Sequence, residues 1–268
     1  MLSPETKSFR LLRRLRYLVS RLFGNRLQNS QQTSFETLNG RRFKRLILRD
    51  TALATELERN LEAFHDSPHF PSVAIRYEHE LWLDYVEGSP IVQPDTRVVE
   101  KIADFYAATY SRSARRVDVA DTPFVPRLQR DLRFLNRVGI LSDAAYRDLG
   151  AAVERLVPDR VWVGFDYTDA VLKNFIVTDA DGLVCGIDAE SLRRDQLIGT
   201  GVANALARWL GPFQDRFLQR LFRDEIPDFR PYLPFVELCY ASAWTKMYFF
   251  EKKWKRIEPS IFERFRAG

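Results

Sequence analysis

The segment 161–190, VWVGFDYTDAVLKNFIVTDADGLVCGIDAE, constrains this chain more than any other. It reads as an apolar strand (161–165), an aspartate, an asparagine five positions on, a second strand (174–178), a turn at Asp179-Ala180-Asp181-Gly182, a third strand (183–187) and a second aspartate. Two apolar runs around such a turn fold back as a hairpin. That brings Asn174 and Asp188 to one open end, with Asp169 facing the same space from the loop leading in. Oxygen donors at one hairpin end can share a hard cation. A neighbouring carboxylate that orients and deprotonates a hydroxyl completes the equipment of phosphoryl transfer.

The rest of the chain supplies a frame around this segment. Residues 33–38 and 41–49 read as strands joined by Asn39-Gly40, a pair that tolerates the positive φ angles of a two-residue hairpin. Thr51 is expected to cap a helix through Leu53, Leu57, Leu61 and Phe64. Short strands follow at 73–77 and 80–85, and the chain leaves them at Glu87-Gly88-Ser89-Pro90, a flexible joint. Helical periodicity then covers 96–110, 126–138 and 142–156, the last with Ser142 as cap, and returns at 201–210, 213–222 and 234–257. The expected fold class is α+β: a small β-rich lobe at 29–86, a larger helical lobe at 87–268, and a separate basic helix at 1–28.

Composition narrows the setting. Hydrophobic residues at 46% and charged residues at 29% of 268 describe a folded chain with ample core. Cys185 and Cys239 stand among apolar neighbours and are too few for a disulfide framework, which points to a reducing, cytoplasmic setting. Net charge is +5, but it is unevenly spread. Lys7, Arg10, Arg13, Arg14, Arg16, Arg21 and Arg26 flank the helical stripe Leu11, Leu15, Leu18 and Leu22, with no acid among them. Such a helix either packs on its own domain or lies on an anionic membrane surface as a peripheral contact. Arginines interrupt every apolar core a signal peptide would need, and no uncharged run approaches the ~18 residues that span a bilayer.

Asp169-x-x-x-x-Asn174, followed fourteen positions later by an Asp after an apolar strand, resembles the catalytic loop and metal-binding segment of the protein-kinase-like superfamily. Asp188-Ala189-Glu190 is more similar to the Asp-x-Glu of its aminoglycoside and choline phosphotransferase branch than to the Asp-Phe-Gly of protein kinases. Leu81-Trp82-Leu83-Asp84-Tyr85-Val86-Glu87-Gly88 resembles the segment linking the two lobes. The resemblance spans about residues 33–210. It implies a two-lobed fold and transfer of phosphate from ATP, with Mg2+, to a hydroxyl of a small molecule or glycolipid. By position it makes Asp169 the base, Asn174 and Asp188 the magnesium ligands, and Glu190 a further metal or water-shell ligand. Backbone groups at Asp84, Tyr85 and Val86 would hold adenine. Lys44 would clamp the phosphates with Glu58 or Glu56 as partner, Arg49 being the alternative clamp.

Departures from the pattern keep two other readings open. Tyr167-Thr168 stands where the superfamily has His followed by Gly or Arg, and no glycine-rich loop precedes the first hairpin. A catalytically dead binding module fits those departures. A protein kinase is the other alternative, against which the Ala-Pro-Glu ending of a peptide-binding segment is missing after Asp188. His65, His69 and His79 lack metal-ligand spacing and read as loop or surface residues. Arg127, Arg130, Arg133 and Arg137 read as a solvated helix face that an anionic substrate could also meet. Trp244, Tyr248 and Trp254 with their interleaved lysines follow helical spacing, so packing rather than nucleic acid accounts for them.

Overall fold

A computed structural model describes residues 32–223 and 225–266, so the basic segment 7–26 lies outside the described residues. The chain divides into two compact units. The smaller includes the described residues up to Glu58 and then Ser72–Tyr85; the larger takes Arg59–Pro71 and the described residues from Val86 onward.

The smaller unit is a four-stranded antiparallel sheet in the order β1-β2-β4-β3, built from β1 (Gln32–Leu38), β2 (Arg41–Ile47), β3 (Val73–Tyr77) and β4 (Glu80–Asp84). Asn39 and Gly40 take φ of 51° and 76°, the turn that sets Leu38 opposite Arg41 and hence Phe35 opposite Lys44. On one sheet face Phe43 and Trp82 meet edge to face, and the buried Arg45 reaches Glu80 Oε2 at 2.9 and 3.1 Å. Strand alternation puts Lys44 on the opposite face from Arg45. Helix α1 (Thr51–Glu62) follows β2. Its cap is Asp50 rather than the expected Thr51: Asp50 Oδ1 accepts from Leu53 N–H at 2.9 Å, and Arg49 steadies the other oxygen at 2.8 Å. A carboxylate held by an adjacent guanidinium is the better acceptor for an orphan helix N–H.

The larger unit is mostly helical, as expected. Helix α2 (Thr96–Tyr110), capped by Asp95, buries Val99, Ile102, Ala103, Tyr106 and Tyr110 at helical spacing. Then come β6 (Arg115–Asp118), α3 (Phe124–Arg137), α4 (Asp143–Leu156) with Ser142 as its cap, and β7 (Arg160–Tyr167). A hairpin of β8 (Phe175–Thr178) and β9 (Val184–Gly186) pairs with β5 (Gly88–Pro90), which reads in sequence as a flexible joint but forms a short strand. Strand β10 (Leu192–Leu197) joins β7 and β6 in a three-stranded sheet. Helix α5 (Thr200–Ala205) runs into a π-helical turn at Leu206–Leu210, and α6 (Gln214–Leu221), α7 (Leu233–Phe250) and α8 (Glu263–Arg266) complete the unit.

Helix α7 stops at Phe250, short of the expected end at 257. Lys252 adopts φ 55°, and the N–H groups of Lys252 and Lys253 turn back to the carbonyls of Phe249 and Tyr248. The core is strongly aromatic: Phe105 packs edge-on against Tyr106, Tyr167 and Phe175. His69 belongs to this core rather than to a surface loop. It is buried edge-on to Phe105, with Nδ1 2.7 Å from the Val184 carbonyl oxygen.

Candidate active site

Strand β7 is buried along most of its length, and the chain leaves it at Thr168-Asp169 because Tyr167 anchors its end. Asn174 closes a 3-10 turn just before β8, one residue short of the strand it was expected to open. From there its amide reaches both carboxylates: Nδ2 lies 3.0 Å from the Asp169 carbonyl oxygen, 3.4 Å from Asp169 Oδ2 and 3.3 Å from Asp188 Oδ2. All three partners are acceptors, so the amide orientation is fixed by chemistry. Asp169, Asn174 and Asp188 are therefore brought together by direct contacts. Glu190 lines the same cavity as Asp169 and Asp188.

Three side chains that the sequence did not single out hold this cluster. Ser191 Oγ donates to Asp188 Oδ2 at 2.7 Å. Asn204, fully buried in α5, donates through Nδ2 to Asp169 Oδ1 at 3.2 Å and to the Thr168 carbonyl at 2.9 Å. Trp209 Nε1 donates to the Ala170 carbonyl at 2.7 Å. The fourth support is Tyr167, which stands where a histidine was expected. Its hydroxyl donates to the Asn174 carbonyl at 3.1 Å and accepts from Asp188 N–H at 3.0 Å. The loop therefore keeps a brace between its two ends, and the departure at 167 does not leave it unsupported.

Asp166 anchors the same loop from behind. Fully buried, it accepts from Gly201 N–H at 3.1 Å, Gly199 N–H at 3.0 Å and the Tyr110 hydroxyl at 3.3 Å. Burial pushes its pKa up to about 7 against the pull of these donors.

The other expected site residues lie in or beside the smaller unit. Lys44 is half-buried in β2. Glu56 is exposed, and Glu58 pairs with Arg76 Nε at 3.3 Å. Arg49 is paired with its neighbour Asp50. The N–H groups of Asp84 and Tyr85 are bonded to the Ser72 and Arg42 carbonyls at 2.9 and 3.2 Å, so those two donors are used within the unit. The Asp84 carboxylate meets Arg41 at 2.8 Å, and Val86 begins the larger unit's second stretch.

Within the larger unit, a cavity of about 390 Å3 opens beside Asp169 and Asp188. Residues of α3, β10 and α7 also line it, among them Arg127, Asp131, Arg193, Tyr240 and Trp244. Arg127 is exposed, as expected of a solvated helix face, and it also lines this cavity. Burial raises the thiol pKa of both Cys185, to about 12, and Cys239, which disfavours the reactive thiolate form. Among the described residues, no group of three or more His, Cys, Asp or Glu could hold a metal ion by itself, and no helix is long and apolar enough to cross a membrane.

No protein-family model and no curated protein matches the sequence. Solved structures do match in fold. Macrolide 2'-phosphotransferase type I is 14% identical, with both chains covered in full and a TM-score of 0.62. Choline kinase LicA from Streptococcus pneumoniae is 13% identical over 96% of this chain and 97% of its own, also at 0.62. A thermostable mutant of aminoglycoside phosphotransferase APH(4)-Ia is 13% identical over 90% and 93%, at 0.61. The chain therefore shares the fold of these phosphotransferases and kinases.

Proposed function

We propose that this protein is an ATP- and magnesium-dependent phosphotransferase that phosphorylates a hydroxyl of a small molecule or glycolipid. The observation that carries the reading is the single amide of Asn174 touching both Asp169 and Asp188, carboxylates that line one cavity. The names of the structures sharing the fold support it: they phosphorylate macrolides, choline or aminoglycosides, and LicA has been seen with AMP.

The donor set suits magnesium. Asn174, Asp188 and Glu190 offer hard oxygens, and a cation that keeps waters and nucleotide phosphate oxygens needs only one or two carboxylates from the protein. When bound, it would neutralise phosphate charge. Asp169 orients the acceptor hydroxyl and takes its proton as the acceptor oxygen bonds to the γ-phosphorus and the bond to the β–γ bridging oxygen breaks, releasing ADP. Asn204 holds the other oxygen of Asp169, so the carboxylate keeps one direction toward the hydroxyl. In this reading Lys44, with Arg49 as the alternative, offsets phosphate charge, Glu56 or Glu58 positions it, and backbone groups at 84–86 meet the adenine.

Thermal denaturation with and without Mg·ATP tests the nucleotide site. Saturating Mg·ATP is expected to raise the wild-type midpoint by roughly 5–10 °C, and Asp188→Asn to lose most of that rise. No rise at saturation would favour the binding-module alternative. A screen of ATP consumption against sugars, amino alcohols and lipid-linked glycans then separates acceptor classes. Peripheral contact through residues 7–26 belongs to the glycolipid arm: removing residues 1–28 should reduce turnover of a vesicle-borne acceptor and spare a soluble one.

A further inference from the structure

The cavity beside Asp169 is lined by charged side chains. Among them Asp131 is buried and held by Lys246 Nζ at 2.6 Å. The largest aromatic on the lining, Trp244, lies under the Arg208 guanidinium at 5.2 Å, and Arg208 also reaches the Tyr248 hydroxyl at 2.6 Å. A carboxylate and an indole face are the two features that would draw a cationic ligand. Both are occupied here by the chain's own cations. At the catalytic end, Asp169 and Asp188 already accept from Asn204, Asn174 and Ser191. The cations on the cavity lining are Arg127 of α3 and Arg193 of β10. Both are exposed, and among the described residues neither has a salt-bridge partner.

Resting on the phosphotransferase reading, we infer that the acceptor at this site is a polyol or sugar that also carries an anion, phosphate or carboxylate, bound by Arg127 and Arg193. A guanidinium offers paired N–H donors that match either oxyanion. Amino alcohols and aminosugars are disfavoured there, because an ammonium meets two cations, Asp131 is already paired with Lys246, and Glu190, the other acid on the lining, serves the magnesium in this reading.

Titration calorimetry on the full chain tests this with four soluble probes: glucose 6-phosphate, gluconate, glucose and choline. At least one anion is expected to bind roughly tenfold tighter than glucose, with choline weakest. The two anions distinguish a phosphate site from a carboxylate site. The preference should shrink to about twofold in Arg127→Gln/Arg193→Gln and persist in Arg127→Lys/Arg193→Lys. Choline or glucose binding as tightly as the anions, no anion binding at all, or an unchanged preference in the glutamine variant would each overturn the inference. Nucleotide binding is measured separately, without any acceptor. Its failure would remove the phosphotransferase reading while leaving the anion preference to be read by itself.

Discussion

Tyr167 ties Asn174 to Asp188 with one hydroxyl, and it does so from a fully buried position. Removing that oxygen leaves the Asn174 carbonyl and the Asp188 N–H without this partner in a space too enclosed for bulk water. Tyr167→Phe is therefore expected to cost about 1–3 kcal/mol in urea denaturation, the scale of a buried group losing its hydrogen bond. Because Asp188 loses its backbone anchor, Mg·ATP affinity should fall several-fold as well. A variant as stable as wild type, with unchanged nucleotide affinity, would show that the bridge does not position Asp188.

At this scale the sequence was informative where spacing sufficed. Asp169, Asn174 and Asp188 stand within nineteen positions of one another, and a hairpin between them leaves little freedom. Ser191 follows Asp188 by three residues, close enough in sequence for a short turn to bring it to that carboxylate. Asn204 gave none: it reaches Asp169 across thirty-five positions, through pairing that no local pattern encodes.

Elements with their own periodicity were legible. Helices α2 and α4 and the β1–β2 hairpin stand where 3.6-residue and two-residue repeats put them. The sequences Arg115–Asp118 and Leu192–Leu197 carry too many charges to read as strands, yet both pair with β7. Their stability comes from a buried neighbour strand rather than from their own residues. Helix α5 is the element that ties β7 to the site, and Gly201 makes its close approach possible. A Cβ at Gly201 would overlap the Tyr167 carbonyl oxygen and the Tyr106 hydroxyl. Gly201→Ala should lower stability by about 1–3 kcal/mol, the usual cost of overpacking a filled core. A loss below about 0.5 kcal/mol, read from the urea midpoint, would mean that α5 is free to shift away from β7.

For the molecule as a whole, the two units carry different parts of the proposed chemistry. The larger one contains the acid–amide–acid cluster, its supports and the cavity with Arg127 and Arg193. The smaller one contains Lys44 and the buried Arg45–Glu80 pair. The fold class was readable because a β-rich third followed by helical repeats admits few architectures. The charge balance of the cavity was not, because it depends on which charges along α3 and α7 are already neutralised by neighbours far away in sequence, as Asp131 is by Lys246.

The central claim is that Asp169 takes the proton of an acceptor hydroxyl while Asn174 and Asp188 serve the nucleotide. Phosphate transfer and Mg·ATP binding by Asp169→Asn measure it most directly. The account predicts nucleotide affinity within about threefold of wild type and turnover reduced by on the order of a hundredfold or more. Turnover within a few-fold of wild type would contradict it.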